Sequence, residues 1–159
     1  MVVQYKVEIN ATATSAIGSQ FWIVNNGSDP VNLSDLTLRY YMTNEVAATL
    51  IKTVNWANVG AVGGPNAGFP TGNIGVAVTP MPMPAPSADT YIEFNFAGGN
   101  DVLAPGNRLQ FSWTVQNFMS QSFDQPGDYS FNAAASQQMD WQNVVLMYQG
   151  QSVVWGIEP

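Results

Sequence analysis

The residues with chemical reach in this chain are few, and most of them are carboxylates. Asp124 and Asp128 flank a Pro-Gly turn in the stretch QNFMSQSFDQPGDYSF, which runs from Gln116 to Phe131. Two acids so close together raise three readings. A carboxylate pair can share the acid and base work of glycoside hydrolysis. With Glu45 and the oxygens of Thr43, the same pair offers hard ligands of the kind calcium accepts. Or the acids simply shape a turn, the reading that also suits Asp29, Asp35, Asp89 and Asp101. Sequence spacing alone does not bring residue 45 to residues 124–128. The chain has no histidine and no cysteine. The commonest general base is therefore missing, as are thiolate catalysis, disulfides and most transition-metal sites. No nucleophile elbow, P-loop or dinucleotide fingerprint occurs.

The aromatic residues carry more information. Trp22, Trp113 and Trp155 fall inside apolar stretches, where core packing is the expectation. Trp56, Phe69 and Phe118 stand at strand ends or in loops, beside Asn, Gly or Gln. An exposed ring offers a flat apolar face to the axial hydrogens of a sugar, and neighbouring amides can bond its hydroxyls. The competing reading is that each ring plugs an edge of the fold. Arg39 and Tyr41 point away from the apolar side of one strand, and Tyr91 and Glu93 away from that of another. If those strands adjoin, they make a polar-aromatic groove or only a cross-strand surface ion pair.

Composition narrows the partners. Only 9% of residues are charged, so the surface must be covered by Asn, Gln, Ser, Thr and Gly. Such a surface suits neutral, hydroxyl-rich ligands. Net charge is −7 with four scattered cations, which cannot track a phosphate backbone or an anionic bilayer. No apolar run approaches the length of a membrane span. No signal peptide is visible, and Met1 leads directly into a strand-like segment, as expected of a domain cut from a longer protein.

The dominant hydrophobic period is two. Residues 3–9, 19–26, 36–43, 49–56, 73–79, 90–96 and 108–115 read as strands, and the end VVLMYQGQSVVWG as a hairpin around Gln149-Gly150. A long Gly/Pro/Asn-rich loop is expected from residue 57 to about 72, and the proline-rich 81–89 cannot be a central strand. About nine strands without a strong helix predict an all-β, antiparallel two-sheet sandwich forming a single domain over residues 1–159.

Several phrases taken together resemble the family 3 carbohydrate-binding modules, the cellulose-binding domains of cellulosomal scaffoldins and secreted cellulases. They are VNLSDLTLRYYMTNE, ADTYIEFNF, GDYSF and the closing YQGQSVVWGIEP, in order and spread over nearly the whole chain. The resemblance implies a nine-stranded jelly roll with a structural calcium. Its ligands would fall on Thr43, Glu45, Asp124, Gly127 through its carbonyl, and Asp128. Glutamate at 45 and glycine at 127 depart from the family's usual Asp and Asn. The family's planar cellulose-binding strip would fall on Asn55, Trp56, Phe69, Gln110, Ser112 and Phe118. Here its Asp-His pair becomes Asn55-Trp56, its Arg becomes Ser112 and its Trp becomes Phe118. Charge is lost while aromatic area is kept. The family's shallow groove on the opposite sheet would fall on Arg39, Tyr41, Tyr91, Glu93 and Tyr129.

The expected function is then non-catalytic binding of crystalline β-1,4-glucan, targeting an attached scaffoldin, enzyme or sensor to plant cell wall. Two alternatives stand beside it: a helper that feeds single glucan chains to a hydrolase, and a module whose groove binds linkers or peptides. The expected partners are cellulose and neighbouring domains of a larger secreted protein, without nucleic acid or membrane contact. An extracellular setting, secreted or cell-surface and of bacterial type, and a monomeric state complete the expectation.

Overall fold

The computed structural model describes residues 1–46, 48–97, 101–119 and 121–159. Nine longer strands carry the architecture. They are β1 (Val2–Val7), β2 (Ala16–Val24), β3 (Leu36–Met42), β4 (Leu50–Ala61), β5 (Gly75–Ala85), β6 (Ala88–Asn95), β7 (Asn107–Asn117), β8 (Val144–Tyr148) and β9 (Ser152–Trp155). One sheet has the order β1-β2-β7-β4, extended at its two edges by the short strands Met139–Asp140 and Asn66–Gly68. The other has the order β9-β8-β3-β6-β5, and all pairings are antiparallel. The two sheets pack face to face as a sandwich.

Period-two patterning explains which side of each strand is buried. Along β1, Val3, Tyr5 and Val7 are buried between half-exposed neighbours, and along β6 Ile92 and Phe94 alternate with Tyr91 and Glu93. The inner faces meet in an aromatic wall. Phe21 packs within 5.6–5.8 Å, centroid to centroid, of Phe94, Phe111 and Trp113, and Tyr40 stands 5.3 Å from Trp113. Edge-to-face and stacked contacts at these separations add to the apolar area buried.

Two sequence expectations change. The stretch 57–72 is not one long loop: β4 continues to Ala61, turns, and returns through Asn66–Gly68. The proline-rich segment is a strand, but an edge one. Pro80, Pro82 and Pro84 lie in β5, at the border of its sheet. Proline is tolerated there with its donor-less nitrogen toward the open side.

The last hairpin turns at Gln149 and Gly150, both with positive φ. Just beyond β9, Gly156 has φ +88 and packs so closely on the carbonyls of Gln142 and Val144 that no Cβ fits. That close approach fixes where the terminal Gly156–Pro159 segment leaves the sheet. Gly156→Ala is expected to cost about 1–3 kcal/mol and to lower the thermal midpoint by several degrees in a calorimetric scan.

Candidate functional site

The outer face of the β1-β2-β7-β4 sheet is built by the other half of the same alternation. Along β7, Leu109, Phe111, Trp113 and Val115 enter the core, so Arg108, Gln110, Ser112 and Thr114 face outward. β4 would present one outward residue in two, but its pairing with β7 slips. Ser112 opposes Trp56, Trp113 opposes Val54, and Asn55 is the extra residue between them. A bulge of this kind re-aims a side chain. Asn55 and Trp56, although consecutive, both serve the outer face. The Asn55 amide donates to Ser112 Oγ and Thr114 Oγ1, each at 3.0 Å.

The bonding continues across the sheet. Ser112 Oγ donates to Glu8 Oε2, and Gln20 Nε2 donates to Glu8 Oε1 at 2.6 Å. Gln138 in turn donates to Gln20 at 3.3 Å. Each polar group thus fixes the next, from Asn55 on β4 over Ser112 on β7 and Glu8, just past β1, to Gln20 on β2. Sequence reasoning found Asn55 and Ser112 but missed Glu8 and Gln20. The register signal was present, because Gln20 lies directly opposite Ser112 and directly opposite Lys6 near the end of β1.

The expected strip residues do not all lie on the surface. Trp56 is half-buried beside exposed Asn55, and Phe118 is 79% exposed. Phe118 continues the outward parity of β7. Asn117 braces its turn, donating to the carbonyls of Ser15 and Gln121 and accepting from the amides of Met119 and Gln121. Gln110 and Ser112 face outward yet are buried, at 7% and 2% exposure, so they form a floor beneath the rings. Phe69 does not join the strip. Its amide donates to the carbonyl of inward-facing Ala57, and its ring is part of the core. The reason is the unforeseen return strand, which carries residue 69 under the sheet edge. Trp22 moves the other way. Instead of entering the core it faces outward, with the Arg108 guanidinium 4.2 Å from its ring centroid.

The candidate metal loop gathers at the far end of β3. Asp128 is buried, accepts from the Thr43 amide at 2.8 Å through Oδ1, and leaves Oδ2 without a partner. Burial pushes its carboxyl up to about 8, and the nearby charges of Glu45, Asp124 and Asp89 push in the same direction. An orphaned carboxylate oxygen among like charges suits a hard cation. Glu45 and Asp124 are exposed, the Asp124 amide donating to Glu45 Oε2 at 3.5 Å, and Gly127 ends the turn Gln125–Gly127 with open space where a side chain would stand. Gln125 pins that turn by donating to the carbonyls of Ile9 and Ala11. Among the described residues no three acidic side chains converge into a closed metal cluster, so main-chain and hydroxyl oxygens would have to complete any shell. Asp89, read from sequence as a turn residue, joins this neighbourhood and accepts from the Asn44 amide.

On the opposite sheet, Arg39 pairs with Glu93 at 2.8 Å and lies 4.5 Å from the Tyr91 ring centroid. A groove of about 240 Å3 lies here, lined by Arg39, Tyr41 and Tyr91 of the expected set, though not by Glu93 or Tyr129, and walled by Met81, Pro82 and Met83. It is not empty of protein. The Tyr41 hydroxyl donates to Glu158 at 3.0 Å, and the Tyr129 hydroxyl donates to the Ile157 carbonyl at 2.9 Å. Tyr41 is thereby only 2% exposed, and burial pushes its hydroxyl up to about 12.

Comparison with known proteins places this geometry. The family model described as "Cellulose binding domain" matches residues 2–156. Endoglucanase A of Paenibacillus lautus is 38% identical over 164 residues, covering 100% of this chain and 21% of that protein. Anti-sigma-I factor RsgI2 of Acetivibrio thermocellus is 28% identical over 163 residues, covering 95% of this chain and 23% of that protein. The chain thus spans under a quarter of either relative. A solved structure of the CBM3a-L domain with flanking linkers, from the scaffoldin cipA of the Clostridium thermocellum cellulosome, superposes with a TM-score of 0.91 at 32% identity. It covers 99% of this chain and 90% of that one. The family model matches nearly the full length of the chain, and so does the solved domain: the chain belongs to the family 3 carbohydrate-binding modules, non-catalytic cellulose binding domains.

Proposed function

We infer that this module holds the flat face of crystalline β-1,4-glucan on the outer surface of the β1-β2-β7-β4 sheet. In doing so it brings the larger protein that carries it to plant cell wall outside the cell. The observation that carries this reading is the bulge at Asn55, which sets Trp56 and an oriented amide side by side on one face. Trp56 and Phe118 supply apolar area for sugar rings. Asn55, with the bonded chain through Ser112 and Glu8, supplies directional polar groups where the family's charged residues are absent. Gln110 supports the rings from below. Because these side chains are already fixed, binding costs little ordering entropy. Families of carriers as different as an endoglucanase and an anti-sigma factor fit a module that targets and does no chemistry.

A structural calcium, held by Thr43, Glu45, Asp124, the Gly127 carbonyl and Asp128, accounts for the orphaned Asp128 oxygen. Its chemistry there is charge neutralisation, bracing the segment that follows Phe118. The groove reading also keeps an observation in its favour. Arg39, Tyr41, Tyr91, Glu93 and Tyr129 line or support a cleft that already grips an extended segment, the chain's own Ile157-Glu158.

Depletion by microcrystalline cellulose tests the strip. Stacked rings are worth about 1–3 kcal/mol each on nucleobases, so Trp56→Ala with Phe118→Ala is expected to weaken binding at least about tenfold. Unchanged binding in that double variant would sink the strip. A parent that ignores crystalline cellulose but binds soluble glucan would favour the chain-feeding helper.

Calcium has its own pH signature. In the metal-free fold Asp128 titrates near 8, against its usual 3.8, so the folded state holds a proton that the unfolded chain releases earlier. This contribution to stability is fully present below the unfolded value and is lost as pH rises through the folded one. A cation that replaces the proton binds better as pH rises. The drop in thermal midpoint on adding a chelator is therefore expected to be larger at pH 8 than at pH 5. Equal midpoints with and without chelator at pH 8 would exclude the site.

A further inference from the structure

We propose that Trp22, supported from beneath by Arg108, is a second ring-stacking position for β-glucan on the same face as Trp56. The inference rests on the cellulose-binding reading above and adds a contact that the resemblance-derived strip does not contain.

The geometry begins with register. Gln110 opposes Trp22 on one flank and Asn58 on the other, while Ser112 opposes Gln20 and Trp56. Trp22 and Trp56 therefore stand on opposite sides of β7, two residues apart along it. Standard strand spacing and rise put their Cα atoms about 12 Å apart. A sugar chain that crosses β7 obliquely meets both.

The Arg108 guanidinium shows how the ring lies. It sits 4.2 Å from the Trp22 centroid, while its Nη2 reaches Asn66 at the far edge of the sheet, 3.5 Å away. Trp22 comes from β2, on the near side. The ring must extend over β7 for both contacts to hold. Arg108 is 9% exposed and Trp22 is half-buried, so the ring is the outer partner. One ring face rests on the cation, and the exposed part of the ring is what a ligand would meet.

Bonding energetics agree with a stacked platform. Both ion pairs among the described residues belong to Arg39, and Arg108 Nε and the Trp22 indole N–H have no acceptor. The arginine charge is thus met chiefly by the π-face, an interaction that strengthens as water is removed. A ligand that covers the ring dries this pair further. The residues directly opposite Trp22 on its two neighbouring strands are both amides, Gln110 on β7 and Gln4 on β1, the latter held by its bond to Asp140 at 2.9 Å. That chemistry suits an uncharged, hydroxyl-rich chain continuous with the one on Trp56.

Footprinting with an indole-oxidising reagent, free and on microcrystalline cellulose, tests this in the parent protein without any substitution. Protection of Trp22 together with Trp56 is expected, with Trp113 unreactive in both states. In depletion isotherms, Trp22→Ala should weaken binding about tenfold, equivalent to about 1.4 kcal/mol, and Trp22→Phe should stay within about threefold of the parent. Trp56 protected while Trp22 oxidises equally in both states overturns the inference and leaves the strip standing. So does a folded Trp22→Ala that binds like the parent while Trp56→Ala does not. A parent that cellulose neither depletes nor protects overturns the cellulose reading itself, and this inference with it.

Discussion

The central strand β7 is the constraint on which both faces of the β1-β2-β7-β4 sheet depend. It pairs with β2 from Arg108 to Gln116 and with β4 from Asn107 to Asn117. Its inward residues carry the aromatic wall, so they cannot shift without opening the core. Its outward residues therefore have fixed positions too. A surface proposed to match a rigid crystal face gains from this coupling, because the stiffness of the core is transmitted through one residue to the outer side. The single irregularity, between Ser112 and Trp113, falls where an extra side chain is wanted on that side.

The second theme is how an almost uncharged face stays oriented. Long charged side chains would bring salt sensitivity and rotamer entropy. This sheet instead links short neutral groups to one carboxylate, Glu8, which accepts from Ser112 and Gln20. Hydrogen bonds to a charged acceptor are the stronger kind. The one buried cation of the face, Arg108, is screened by a ring and reaches no acid.

Much of this was legible in the order of residues, and the misreadings have definite causes. RLQFSWTV shows its two faces because polar and apolar residues alternate, and TYIEFNF does so as well. QFWIV gives no such cue: Trp22 and Val24 are as apolar as Phe21 and Ile23, and only pairing with β7 decides which pair is outside. Phe69 was misplaced because a loop without period hides a short return strand. The bulge at Asn55 could not be read at all, since it exists only in the mismatch of two strands distant in sequence. Glu45 and Asp124 meet over a separation that no local pattern encodes, and a family resemblance was needed to connect them.

The proline triplet of β5 has a consequence for life at high local density. Proteins usually guard an open sheet edge with lysine, but a chain with four cations in all has little charge to spend there. Pro80, Pro82 and Pro84 do similar work without charge, since an incoming strand meets three positions without a donor in the second half of that border. Modules crowded side by side can then meet along this edge with less tendency to zip into a shared sheet. Colloidal restraint is built into the backbone, and the side chains are left free to remain sugar-like in polarity.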